Sequence, residues 1–246
     1  MNFKLTHGLP EKCIVAVSGG VDSLSALHFL SRVEGRVERV IHVNHATGVF
    51  AQDAEDLVRE ICERDEINLT VRRIREHRGE GESRENHWRD QRYRFFWDEN
   101  ARYNLPIVLA HNMDDCLEEY IICTMIRGYW GTIPYRHGCC IRPFRMWKRR
   151  DIELYARRYD IKWVEDPTNQ DDTKFLRAKV RRQVSPRIRN LNPGVYSVLE
   201  NAINHQDEFD EDPQSPGSAG ISAPTDPHLI PSTPKSPAGA RKKIEG

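Results

Sequence analysis

The chain has 246 residues, 37 Lys and Arg against 37 Asp and Glu, and 38% hydrophobic residues. That is enough apolar matter for one core of ordinary size with a small appendage, and no apolar run reaches the ~20 residues that cross a bilayer. The opening "MNFKLTHGLPEK" carries no long apolar stretch of the secretory kind, so a cytoplasmic protein with no membrane partner is expected.

In chain order, "CIVAVS" (13–18) reads as a buried strand and residues 22–33 as a helix. "RVIHVNH" (39–45) is a second strand. Residues 51–65 form a helix with Ala54, Leu57, Val58 and Ile61 on one face. "LTVRRI" (69–74) is a third strand, residues 83–102 a long charged helix, and "PIVLAH" (106–111) a fourth strand. The helix 114–128 is expected to be capped by Asp114 and ended by Gly128. After it come a loop rich in Gly and aromatics, the short extended "CIRPF", a basic helix over 148–161, a turn at "EDPTN" and basic helical residues from 173 to 189. "NPGVYSVLENAI" starts a last helix. From 206 onward lie seven of the fourteen prolines, a composition that reads as a disordered tail.

The six cysteines, Cys13, Cys62, Cys116, Cys123, Cys139 and Cys140, form no CxxC pair and fit neither a zinc ribbon nor a disulfide framework. Zero net charge hides segregation. Residues 142–189 hold fifteen Lys and Arg against seven Asp and Glu, a surplus that suits a polyanion.

Strand–helix alternation implies an α/β fold, a parallel sheet with helices on both faces, followed here by a small helical segment. Right-handed crossovers then bring Ser18–Ser23, Asn44–His45 and His111–Asp115 to one crevice at the carboxyl ends of the strands. Within "SGGVDS", Gly19 and Gly20 let a ligand approach the backbone, and successive N–H groups up to Val21 form an anion cradle at a helix start. Ser18 and Ser23 add hydroxyls. Asp22, an acid beside phosphates, points to Mg²⁺. The ending differs from a Walker A motif.

This stretch resembles the PP-loop ATP pyrophosphatases, which split ATP between its α- and β-phosphates. Further runs resemble one branch, the tRNA(Ile)-lysidine synthetases: "HVNHATG", "ESRENHWRDQRY", "LAHNMDDCLEE", "RGYWG", the stretch from "IRPF" to "EDPTN", and "FLRAKVRRQVSPRIRNLNPG". They follow in order across residues 13–194. Asn112 stands where the family has a second His, and a short form without the C-terminal domains of the larger members is expected.

The resemblance implies an adenine nucleotide alpha hydrolase-like fold. It implies ATP and Mg²⁺ as cofactors, tRNA and free L-lysine as partners, and a reaction at C2 of cytidine-34 that yields lysidine, AMP and pyrophosphate. Rivals are a tRNA thiolase of the same superfamily, an amidating enzyme, and a silent tRNA-binding relative.

Asp114, Asp115 and Glu118 would hold Mg²⁺ or orient the lysine ammonium, with Asp22 and Asp114 as the metal pair and capping as Asp114's other role. Arg92 joins them in the catalytic set. Asn44, His45, Arg127 and Gly128 join the loop in cofactor binding. His111 either contacts ATP or the base or closes its strand as an ordinary hydrogen-bonded histidine. Arg89, Arg177, Arg181 and Arg182 are expected on tRNA, and Trp130, Tyr135 and Trp147 either stack on a base or fill core. The expected units are 1–135 (PP-loop domain), 136–205 (basic helical extension) and 206–246 (tail), with room for a homodimer.

Overall fold

The computed structural model describes residues 4–5, 7–46, 48–74, 84–165 and 176–211. Asp166–Asn169 of the turn, and the tail from 212, lie outside them. Five parallel strands are β1 (Cys13–Ala16), β2 (Val37–Asn44), β3 (Leu69–Arg73), β4 (Ile107–Val108) and β6 (Cys140–Ile141). β5 (Arg136–His137) pairs antiparallel with β6 and closes the edge. The order across the sheet is β3-β2-β1-β4-β6-β5.

β1 lies in the middle because Cys13, Ile14 and Val15 are fully apolar and fully buried. A strand covered on both faces reads as a continuous hydrophobic run. The chain leaves β1 toward β2 and β3, then returns to lay β4 on β1's other side, with Ile14 opposite Arg39 on one flank and Ile107 on the other. The reversal opens a crevice above the carboxyl ends of β1 and β4, where such sheets take ligands.

The helices α1 (Val21–Ser31), α2 (Val49–Arg64) and α3 (Arg84–Tyr103) follow β1, β2 and β3. Leu24, Leu27 and Leu30 of α1 pack with Val58 and Cys62 of α2 on one face of the sheet, while Phe95 and Phe96 of α3 pack against Ile14 and Ile107 on the other. α4 (Met113–Ile121) is followed by a π-helical turn, Ile122–Arg127, which ends at Gly128 with φ +75°. α5 is Arg149–Arg158. α6 (Leu176–Lys179), a second π-helical turn (Val180–Val184), α7 (Ser185–Leu191) and α8 (Val195–Glu211) complete the described chain. Among the described residues no helix is long and apolar enough to cross a membrane.

Three expectations change. The sheet runs on through β5 and β6, so the boundary at 135/136 falls inside it. The cap of α4 is Asn112, whose side chain accepts the Asp115 N–H, rather than Asp114. α8 continues past 205 because Asp207 is buried in an ion pair with Arg145.

Candidate active site

At the end of β1 the chain turns sharply into α1. Gly19 has φ +89°, and a Cβ there would lie 2.9 Å from the Ala54 Cβ on α2. Only glycine serves both demands. The Ser23 hydroxyl accepts the Ser18 N–H at 3.1 Å and donates to the Gly20 carbonyl at 3.0 Å. The Ser18 hydroxyl lies 3.1 Å from it and so donates to Ser23. The Gly19 carbonyl accepts the Val164 N–H at 3.0 Å. These bonds fix the turn and leave the first N–H groups of α1, from Val21 to Ser23, with no acceptor in their own helix. The helix dipole adds positive potential there.

Asp22 projects beside this cradle. Its Oδ1 accepts the Asn112 amide N–H at 3.0 Å, and its Oδ2 lies 3.8 Å from Arg149 Nη1. Burial pushes its carboxyl up to about 6, against the pull of Arg149. Asn112 closes a reciprocal capping box with Asp115, 3.0 Å in both directions, and thereby ties the start of α4 to the start of α1.

A cleft of about 240 Å³ opens here. Ser18, Asp22 and Ser23 line one part, and Ile41, Val43, Phe96 and Leu109 supply an apolar part. A charged end and an apolar end suit a ligand with phosphates and a flat base. His45, Arg92, Tyr93 and His111 also line it, and the same four line a second cleft of about 390 Å³. The second cleft adds Trp88, Arg89, His137, Arg142 and Arg177, with Glu119 as its one carboxylate among the described lining. His111 Nδ1 is shut off from solvent and has no hydrogen-bond partner among the described residues. Burial, together with Arg142, Arg177, Arg92 and Arg89, holds its imidazole well below the usual range, so it is neutral at pH 7. His45 packs 5.2 Å from the Trp88 ring.

The carboxylates of α4 are occupied by arginines from further along the chain. Glu118, 3% exposed at its side chain, accepts from Arg181 at 2.6 and 2.9 Å and from Arg177 at 3.3 Å. Burial pushes its carboxyl above the usual range despite Arg181. Asp115 takes a further bond from Arg181 at 3.1 Å. Asp114 accepts the Arg189 guanidinium at 2.5 Å, the Tyr196 hydroxyl at 2.7 Å and the Arg149 backbone N–H at 2.9 Å. Arg177 and Arg181, expected on an RNA backbone, bond these carboxylates, Arg177 at the wall of the second cleft, and Arg182 is exposed. Both oxygens of Asp114 accept hydrogen bonds from within the protein. No group of three or more His, Cys, Asp or Glu among the described residues is arranged to hold a metal.

Other expected residues stand apart. Asn44 donates to the Ala51 carbonyl and to Glu55, and its oxygen accepts the Ala46 N–H, so its side chain shapes the loop after β2. Arg127 and Gly128 lie outside the lining of both clefts. Trp147 is 2% exposed in the core, Tyr135 stacks on His7 at 3.9 Å, and Trp130 stays exposed beside His205. The cysteines are all free and buried, and none lines either cleft.

Two residues that touch Asp22 were not expected in the site. Asn112 was signalled by the Asp three positions after it, the spacing of a capping box. Arg149 had no local signal, because its meaning comes from Asp22.

The model of the PP-loop domain family, ATP_bind_3, matches residues 4–188. The tRNA(Ile)-lysidine synthase of Clostridium perfringens is 33% identical over 202 residues, covering 77% of this chain and 43% of that protein. That of Coxiella burnetii is 29% identical over 202 residues, 78% of this chain and 44% of the other. The chain thus spans less than half the length of these relatives. Among solved structures, the U34-tRNA thiolase NcsA of Methanococcus maripaludis superposes with a TM-score of 0.63 at 16% identity, covering 80% of this chain and 72% of that one. At that identity the likeness is one of fold.

Proposed function

The chain belongs to the PP-loop family, and on that premise we propose that it binds ATP in the crevice above β1 and β4 and uses it to modify tRNA. The observation that carries this reading is the pair of joined clefts. One has a phosphate cradle and an apolar wall; the other is rich in arginine and aromatic rings, and they share His45, Arg92, Tyr93 and His111. Arginines and aromatics together suit an unstacked base and its flanking phosphates.

The reaction we assign is lysidine formation. The C2 oxygen of a cytidine attacks the α-phosphorus of ATP. The bond to the bridging oxygen breaks, and pyrophosphate leaves with the electron pair. The lysine ε-amine, in its neutral form, then attacks C2, the C–O bond breaks, AMP departs with that pair, and the nitrogen releases a proton. Val21, Asp22 and Ser23 offer N–H groups to the charge that grows on pyrophosphate, in fixed positions that need no reorganisation. Ser18, Gly19, Gly20 and the Ser23 hydroxyl hold those groups in place.

Asp22 is a carboxylate beside an anion cradle, a setting that fits Mg²⁺, and it would hold the ion there. When bound, Mg²⁺ neutralises phosphate charge. The engaged oxygens of Asp114 fit that role less well. Asp115 and Glu118, which already hold guanidinium nitrogens, suit the lysine ammonium in exchange for Arg181. Neutral His111 and the exposed Arg89 and Arg92 face the base, and Arg182 offers charge to the RNA backbone.

The test is incubation with tRNA, ATP and lysine. Expected are AMP release that requires all three and a lysine adduct on a cytidine, read by nucleoside mass spectrometry. AMP release indifferent to lysine, with sulfur or no adduct on the base, would overturn the assignment.

A further inference from the structure

Four arginines approach the acids around the crevice, and three bond carboxylates of α4 that are themselves mostly buried. Arg177 and Arg181 bond Glu118, 3% exposed, at 3.3 and 2.6 Å, and Arg189 bonds Asp114, 13% exposed, at 2.5 Å. Arg149 differs in its partners. Its guanidinium stands 3.8 Å from Asp22, too far for a hydrogen bond, and its other tie is to Glu153 at 3.3 Å, an i,i+4 pair with both side chains about 40% exposed. What is firmly held is its backbone, whose N–H bonds Asp114 at 2.9 Å. The fold thus fixes where Arg149 stands and leaves its charged fork loose at the mouth of the phosphate turn, beside the first turn of α1.

We propose that Arg149 binds the pyrophosphate portion of the nucleotide, turning from Asp22 to the β- and γ-phosphate oxygens when they occupy the cradle. This rests on the nucleotide reading above and adds a residue to it. A guanidinium presents two parallel N–H donors to a phosphate, which an ammonium cannot. Asp22 acts as its resting partner, keeping the fork near the turn while the site is free.

The test is calorimetric titration of the full chain, in Mg²⁺ buffer and without tRNA, by ATP, by inorganic pyrophosphate and by AMP. Arg149→Ala is expected to weaken pyrophosphate and ATP by at least about tenfold, the loss typical of a charge-assisted hydrogen bond. AMP, which lacks those phosphates, should change less than about twofold. Arg149→Lys should recover only part of the loss, and exposed Arg150→Ala should match the wild type. Arg149→Ala keeps the backbone bond to Asp114, so the fold contact survives the substitution. Pyrophosphate bound equally by wild type and Arg149→Ala would overturn the proposal and leave the nucleotide reading standing. Equal weakening of AMP and pyrophosphate would also overturn it, since that marks a distorted site. A wild type that binds none of the three ligands would overturn the nucleotide reading itself.

Discussion

Asp22 and Glu55 are carboxylates held inside the molecule by different means, and they respond to pH in opposite senses. Burial raises Asp22 from 3.8 to about 6, so the folded chain holds that proton more tightly than the unfolded one. Ionising it costs stability that begins to be lost near pH 4 and is fully lost above 6, at most about 3 kcal/mol and less for a side chain partly open to water. Asp22→Asn should therefore raise the melting temperature at pH 7.5, with the gain shrinking toward pH 4, while lowering AMP formation by about 100-fold or more. Scanning calorimetry at the two pH values and an AMP assay check both halves. Glu55, 1% exposed, is lowered from 4.5 to about 2, chiefly by hydrogen bonds from Arg73, with Arg59 and Asn44 adding to them against burial. Its contribution, roughly 2–3 kcal/mol, is complete above pH 4.5 and lost as pH falls toward 2. Glu55→Gln should lower the urea midpoint at pH 7 and narrow its distance from wild type by pH 3. The phosphate turn was legible in the sequence because its residues are contiguous. The engagement of Glu118 by Arg177 and Arg181 was not, because charge patterning along a chain does not say which acids a distant basic helix will meet.

Among the elements, the β1–α1 turn carries the tightest constraint. Gly19→Ala would place a methyl 2.9 Å from Ala54 in a backbone conformation at φ +89° that L residues avoid. About 1–3 kcal/mol of stability should go, seen in denaturant melts, and ATP affinity should fall with it as α2 and the turn move apart. Asn112→Ala removes both the cap of α4 and a donor to Asp22. A loss of about 1–2 kcal/mol is expected in the same melts. Apolar periodicity located α1, α2 and α5 well. It could not show α4 loosening into a π-helical turn at Ile122, nor β5, a two-residue strand with no period to read, whereas the extended stretch expected at "CIRPF" contains β6. Cys140, which joins no CxxC pair, is a buried strand residue opposite Ile107.

Across the whole molecule, an interior ion pair ties α8 to the chain that follows β6. Arg145, fully buried, bonds Asp207 of α8 at 2.6 and 2.9 Å and the Ile133 carbonyl at 2.9 Å. Asp207→Ala would strand a buried guanidinium, and a loss of about 3–5 kcal/mol is expected. A double change, Arg145→Met with Asp207→Leu, should recover much of it in chemical denaturation. The strand–helix alternation foretold the parallel sheet and its crevice. It could not foretell α8 running on to Glu211, because the partner that buries Asp207 lies far back along the chain. Distance along the chain matters at the phosphate turn too, where the Val164 amide grips the Gly19 carbonyl. Inverting that peptide would break the grip and aim an oxygen at the arriving anion. The backbone of the turn is thus pinned from a distant part of the chain, and on the proposed reading the Arg149 side chain, rather than the turn, is what moves when phosphates arrive.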